Sequence, residues 1–347
     1  MHSYFFPVRD LYMTSSELER TAKSLVQRGK GILAADESNG TMSRRLEAVG
    51  VKANEENRRL YRTSMFSTLG LEENVSGAIL FDETIRQRMD DGTLIPNYLI
   101  ERGIIPGIKV DTGAKPLAGH SGETVTEGLD GLRERCEEYY NMGARFAKWR
   151  AVITISENLP SEASISANSH ALARYASICQ EQGLVPIIEP EVLMAGNHSI
   201  DDCARVTTTV LRAVYSECKT QGVKLSGTIL KPNMVLPGSA TQSASAKEVA
   251  NTTSQVLIEN VPGEVAGIAF LSGGQSDFDA TNHLNMINQI SNNHPWPLTF
   301  SYGRALLADA LSLWASSQID SAQSKLLHRS KMNGLASTGN WEAGLEE

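Results

Sequence analysis

Eight short apolar segments recur along the chain, each bounded by Gly, Pro or polar residues. They occupy residues 31–36, 77–82, 104–111, 144–150, 184–189, 227–231, 267–272 and 298–301. Short apolar runs bounded in this way read as strands buried on both faces, the type found in parallel sheets. Most of the intervals are long enough for a helix. Helical patterning is readable over 128–142, 165–182, 201–221, 246–259, 277–291 and 304–317. Strand alternating with helix eight times predicts an α/β fold of the (β/α)8 TIM-barrel type. A doubly wound open sheet shares this alternation, but no GxGxxG follows the first strand to support it. The 347 residues are then a single domain. Residues 1–27 form an N-terminal extension and first helix, 28–316 the barrel with the active site, and 317–347 a C-terminal tail.

Several function classes are disfavoured early. There are 32 Lys+Arg against 40 Asp+Glu, a net charge of −8 with no dominant basic tract, which argues against nucleic-acid binding. No apolar run approaches the roughly 18 residues of a membrane span. The first 20 residues alternate aromatics with charges and lack the pattern of a secretory leader, so a cytoplasmic location is expected. The cysteines Cys136, Cys179, Cys203 and Cys218 form no CxxC pair and fall in helix candidates, as buried thiols of a reducing compartment do. The seven histidines show no HxxxH or HExxH spacing, so no metal site is expected.

In a barrel, active-site side chains come from the C-terminal strand ends and the loops beyond them. Here those ends carry Asp36, Lys109, Asp111, Lys148, Arg150, Glu189, Glu191, Lys231, Ser272 and Ser301. Alternate residues of a strand share a face, so Lys148 pairs with Arg150 and Glu189 with Glu191. If that face is the interior, Lys148, Glu189 and Lys231 meet at one rim, with Asp36 arriving from the first strand. A lysine is nucleophilic only as the neutral amine, and mutual repulsion between Lys148 and Lys231 would favour that form. Glu189 could move protons during imine formation, and Asp36 could act as a base on a substrate hydroxyl. A structural ion-pair network at the rim fits the same spacing.

Two Gly-containing turns suit a phosphate. Ser272-Gly273-Gly274 leads into a helix near Asp277, and Ser301-Tyr302-Gly303-Arg304 follows the eighth strand and adds a guanidinium. Loops after strands seven and eight are a frequent phosphate position in this fold. Tight turns without a ligand are the alternative. A second anion site is suggested by Ser38, Thr41, Arg45 and Lys109, although Ser38 also fits a simple helix cap.

The segments Lys30 to Ser38, Gly107 to Asp111, Gly128 to Leu132 and Phe146 to Arg150 resemble class I fructose-bisphosphate aldolases. So do Pro186 to Glu191, Leu230-Lys231-Pro232-Asn233-Met234-Val235, Phe270 to Ser276 and Phe300 to Leu306. The resemblance runs from about Lys30 to Trp314. It implies reversible cleavage of fructose 1,6-bisphosphate to dihydroxyacetone phosphate and glyceraldehyde 3-phosphate through a lysine Schiff base, in glycolysis and gluconeogenesis. By resemblance Lys231 is the Schiff-base lysine, Glu189 the general acid/base, Asp36 the base at the C4 hydroxyl and Lys148 a charge stabiliser. Ser272, Gly273, Gly274, Ser301, Gly303 and Arg304 would hold one phosphate. Ser38, Thr41, Arg45 and Lys109 would hold the other, with Arg150 and Glu191 lining the site. The resemblance implies no metal or cofactor, and a cytoplasmic homotetramer.

One departure stands out. Animal members end in a tyrosine that assists proton exchange at C3, whereas the last tyrosine here is Tyr302. Two other readings stay open. The same chemistry could prefer another ketose phosphate, such as fructose 1-phosphate or sedoheptulose 1,7-bisphosphate, or the protein could be a weakly active scaffold.

Overall fold

The computed structural model describes residues 15–290 and 294–346. Most of the expected N-terminal extension therefore lies outside the described residues. Eight parallel strands close a barrel: β1 (Gly31–Ala34), β2 (Val75–Leu80), β3 (Ile105–Lys109), β6 (Phe146–Ile153), β7 (Val185–Val192), β8 (Ile229–Leu230), β9 (Gly267–Phe270) and β10 (Leu298–Tyr302). Neighbours around the ring run β1-β10-β9-β8-β7-β6-β3-β2. All eight expected segments contribute a strand. An antiparallel hairpin, β4 (Gly113–Pro116) and β5 (Thr124–Glu127), sits between the third and fourth barrel strands and was not expected from the sequence.

Helices surround the barrel: α2 (Asn39–Ala48), α3 (Glu55–Phe66), α4 (Asp82–Arg86), α5 (Ile95–Glu101), α6 (Leu132–Asn141), α7 (Glu162–Glu181), α8 (Ile200–Thr220), α9 (Ala246–Asn260), α10 (Asp277–Ile290) and α11 (Arg304–Ala315). Their starts follow local chemistry. Ser199 caps α8 in a capping box, accepting from Asp202 N while Asp202 accepts from Ser199 N. On α8, Cys203, Val206, Val210, Leu211, Val214 and Cys218 are buried at helical spacing.

Strand parity sorts the barrel into two apolar regions. The interior cluster holds Ile32, Ala34, Ile79, Phe146, Val185, Ile187, Ile229 and Ala269, together with Leu18, Ala22 and Leu25 of α1 (Ser15–Leu25) and the following Val26. The opposite faces, including Leu33, Trp149, Ile188, Leu230 and Phe270, join the outer core under the helices. Burying one such side chain is worth about 1.5–3 kcal/mol. The interior is crowded enough to demand glycine at position 107, where a Cβ would lie 2.3 Å from the Phe146 ring. Trp149 points outward as expected and stacks on Tyr175 of α7 with ring centroids 5.5 Å apart.

The span 317–347, expected as a tail, contains the 18-residue helix α12 (Ile319–Ala336), with Leu326 and Met332 buried. Beyond it Trp341 N donates to Asn285 Oδ1 at 3.0 Å, and Asn285 Nδ2 donates to Trp341 O at 3.0 Å. Glu346 accepts from His328 Nε2 at 3.2 Å, from Trp341 Nε1 at 3.0 Å and from the buried Arg329.

Candidate active site

On β1, Ile32 and Ala34 face the interior, and continuing the alternation brings Asp36 to the same side just beyond the strand. Phe146 begins the inward series of β6, so Lys148 and Arg150 follow it. Val185 and Ile187 of β7 lead to Glu189 and Glu191, and Ile229 of β8 leads to Lys231.

These positions converge. Lys148 Nζ lies 2.7 Å from Asp36 Oδ2 and 3.3 Å from Glu189 Oε2, while Lys231 Nζ lies 3.2 Å from Glu189 Oε1. All four side chains are buried. Two carboxylates and two ammonium groups balance formally, which offsets the several kcal/mol that each uncompensated buried ion costs. Glu189 stands between the two amines, and Asp36 is on the far side of Lys148.

The electrostatics separate the groups. Burial alone would raise the carboxyl pKa of Asp36, but the charges of Lys148 and Lys231 outweigh it and bring the value to about 2. Glu189 is also held below its ordinary range, burial being overcome by Lys148, Lys231 and Arg150. At Lys148 burial favours the neutral amine, but Asp36 and Glu189 reverse that and push its pKa above the ordinary lysine value. Lys148 is therefore a fixed cation. The expected lysine–lysine repulsion does not free its amine, because a carboxylate lies against it on each side.

The remaining candidates form a rim. Arg150 pairs with Glu191, and Lys109 Nζ lies 3.0 Å from Asp111 Oδ1. Ser38 caps α2, accepting from Thr41 N at 3.3 Å, and its hydroxyl lies 3.2 Å from Thr41 Oγ1. The guanidinium of Arg45 rests on Glu37. Across the barrel Ser272 and Ser301 are buried, and Ser301 Oγ has no hydrogen-bond partner among the described residues. Gly273 and Gly274 have φ of +54° and +90°, a region that favours glycine. Gly303 precedes α11, and Arg304 at its first position is exposed, lining a cavity of about 180 Å³ with Gln275, Ser276 and Asp277.

Sequence reasoning missed two supports. Glu37 receives Arg45, and its main-chain oxygen accepts from the buried Arg62 at 2.7 Å. Asn233 Oδ1 accepts from Val192 N at 3.0 Å and Asn233 Nδ2 donates to Thr207 Oγ1 at 3.3 Å, bracing the end of β7 against the chain after Lys231. An asparagine two residues after Lys231 was the available signal. Among the described residues, no group of three or more His, Cys, Asp or Glu side chains is arranged to hold a metal ion, and no helix is long and apolar enough to cross a membrane.

A sequence model of the family described as class-I fructose-bisphosphate aldolase matches residues 17–347. The chain belongs to that family. It is 54% identical over 334 residues to a probable class 1 fructose-bisphosphate aldolase of Xanthomonas axonopodis pv. citri, covering 95% of this chain and 100% of the relative. It is 50% identical over 348 residues to a fructose-bisphosphate aldolase of Drosophila melanogaster, covering 99% and 96% of the two chains. The fold is similar to that of the Plasmodium falciparum fructose-bisphosphate aldolase, solved with TRAP and a small-molecule inhibitor. That comparison gives a TM-score of 0.93 and 47% identity over 95% of this chain and 96% of that one. The function is accordingly that of a class I fructose-bisphosphate aldolase, a glycolytic lyase acting on a sugar bisphosphate.

Proposed function

We propose that Lys231 is the Schiff-base lysine of this aldolase and that Glu189, Lys148 and Asp36 divide the proton and charge work around it. The observation that carries this reading is the placement of one buried carboxylate, Glu189, between two buried amines. Lys231 passes one ammonium proton to Glu189, 3.2 Å from its Nζ, and the neutral amine so formed attacks the C2 ketone of open-chain fructose 1,6-bisphosphate. Proton transfer from nitrogen to oxygen gives the neutral carbinolamine, and Glu189 returns its proton to the carbinolamine hydroxyl, so that water leaves and an iminium forms. Lys148 remains charged and stabilises negative charge beside the reacting carbon. Asp36, ionised at neutral pH with a pKa of about 2, accepts the C4 hydroxyl proton. The C3–C4 bond breaks, its electron pair passes to the iminium as an enamine, and glyceraldehyde 3-phosphate departs. Protonation at C3 and hydrolysis then release dihydroxyacetone phosphate.

In this reading Ser272, Gly273, Gly274, Ser301, Gly303 and Arg304 bind one phosphate. Ser38, Thr41, Arg45 and Lys109 bind the other, with Arg45 leaving Glu37 as it does so. Arg150 and Glu191 line the sugar between them. The protein acts as a cytoplasmic homotetramer, which light scattering of the purified chain tests directly.

The chemistry is tested by borohydride trapping with dihydroxyacetone phosphate in EDTA, followed by peptide mapping. The expected product is a reduced adduct on Lys231, absent from Lys231→Met. An adduct on Lys148 or Lys109 would overturn the assignment of the nucleophile, and no adduct would overturn the imine reading. Comparing kcat/KM for fructose 1,6-bisphosphate, fructose 1-phosphate and sedoheptulose 1,7-bisphosphate tests the substrate.

A further inference from the structure

We infer that Gln275, held by His283, is a positioning residue that fixes the shape of the Ser272–Gly274 turn and ties it to the segment following Lys231. The inference rests on the phosphate role proposed for that turn.

Both the backbone and the side chain of Gln275 converge on one acceptor. Gln275 N donates to Ser272 O at 3.0 Å, and Gln275 Nε2 donates to the same oxygen at 2.9 Å. The intervening Gly273 and Gly274 both have positive φ, so these donations close a turn that few other residues could adopt. The same amide nitrogen lies 3.8 Å from Met234 Sδ, three residues beyond Lys231. One side chain therefore spans the loops after β8 and β9.

Ser272 O, which only accepts, turns the amide nitrogen towards it, and His283 meets the amide oxygen on the other side. Its Nδ1 lies 2.6 Å from Gln275 Oε1. An amide oxygen only accepts, so the ring presents Nδ1–H and leaves Nε2 for the other side. Burial holds the imidazole pKa below its ordinary value, so this donor is a neutral ring at pH 7. A reversed amide would set its oxygen against Ser272 O and lose that hydrogen bond.

One side of the turn is open. A cavity of about 390 Å³ opens there, lined by Gly274, Gln275, His283, Asn282, Ser239 and Thr241. On that open side, hydrogen bonds help hold the loop. The cavity also lets His283 change size without overpacking a core.

Gln275→Met keeps the side-chain length and removes both amide functions. Steady-state cleavage of fructose 1,6-bisphosphate is expected to show KM raised about tenfold with kcat within about twofold, the pattern of lost ground-state binding. The dissociation constant of inorganic phosphate, titrated by calorimetry without turnover, rises in parallel. His283→Leu removes only the outer donor and is expected to raise both constants about threefold, which keeps the test available if Gln275→Met fails to fold. Unchanged KM and phosphate affinity in a folded variant would overturn the inference, as would a fall in kcat at unchanged KM. Absence of a Lys231 adduct in the unsubstituted protein sinks the imine reading instead, and the phosphate titration judges the turn separately.

Discussion

Replacing Lys148 with methionine leaves Asp36 buried beside an apolar side chain. In the native site, Lys148 is the largest influence opposing burial at Asp36, whose pKa stands at about 2 against an ordinary 3.8. At about 1.36 kcal/mol per pH unit that difference corresponds to about 2.5 kcal/mol of stabilisation. Lys148 also faces Glu189 at 3.3 Å, so the loss exceeds the Asp36 contribution. Removing one member of a buried pair typically costs about 3–5 kcal/mol. For a chain of this size that lowers Tm by about 4–7 °C. The pH dependence has a definite sign. Asp36 has a lowered folded pKa, so its stabilisation is present above the unfolded value near 3.8 and is lost as pH falls towards about 2. Lys148 has a raised folded pKa, so its share is present below the unfolded value of 10.5 and is lost as pH rises beyond it. Calorimetric melting of the native protein, Lys148→Met, Asp36→Asn and the double variant at fixed concentration measures the coupling. The double variant is expected to melt above Lys148→Met, because it contains no stranded Asp36 charge. The reasoning fails if Lys148→Met melts within about 2 °C of the native protein, or if the two single losses simply add.

Three other perturbations probe separate links. Gly107→Ala forces a methyl into the Phe146 ring, and a loss of roughly 1–3 kcal/mol or more is expected in chemical denaturation, with partial recovery in Gly107→Ala/Phe146→Leu. No recovery would mean that something other than this contact requires glycine. Glu346→Gln removes the charge that faces Arg329, His328 and Trp341, and melting should report a loss of about 2 kcal/mol at pH 7. Glu346 titrates below its ordinary 4.5, mainly because the Arg329 interactions outweigh burial; the difference between native and variant should therefore shrink as pH falls below about 4.5. Trp149→Ala empties space against Tyr175 on the outer side of β6, costing about 3–5 kcal/mol of stability, while borohydride adduct formation at Lys231 persists at temperatures where the variant is folded.

Strand parity explains what was legible in the sequence. Once residues 146–153 and 185–192 are strands of a closed barrel, an inward Phe146 or Val185 fixes every second residue after it. Lys148, Glu189 and Lys231 follow from that rule, and Asp36 follows by continuing β1 beyond Ala34. Trp149 follows from its converse. The hairpin of β4 and β5 was not legible because its residues, Gly113–Pro116 and Thr124–Glu127, carry almost no buried apolar pattern. The docking of residues 319–346 was obscured for a related reason: the buried face of α12 interleaves Arg329, Ser330 and Asn333 with Ala322, Leu326 and Met332, so no strong apolar stripe announces it.

The elements invisible to parity are those in which one loop side chain reaches another loop. Glu37 meets Arg45 and Arg62, Asn233 meets Val192, and Gln275 meets Ser272 and Met234. None lies within the strand segments whose alternation fixes its direction, so spacing along the chain says nothing about its partner. Strands and loops thus contribute differently to the site. Strands β6 and β7, and the residues directly after β1 and β8, fix the four buried ionisable groups to the barrel wall, where a displacement would strand a charge in the core. Loops and helices carry most of the groups proposed for phosphate, Ser38, Thr41, Arg45, Ser272, Gly273, Gly274, Gly303 and Arg304, while Lys109 and Ser301 lie on strands. Arg45 illustrates the difference: its partner Glu37 lies outside the strands, so in the proposed reading exchanging that carboxylate for a phosphate requires side-chain rotation alone. Lys148 has no such freedom, because leaving Asp36 and Glu189 would uncover two buried carboxylates at once.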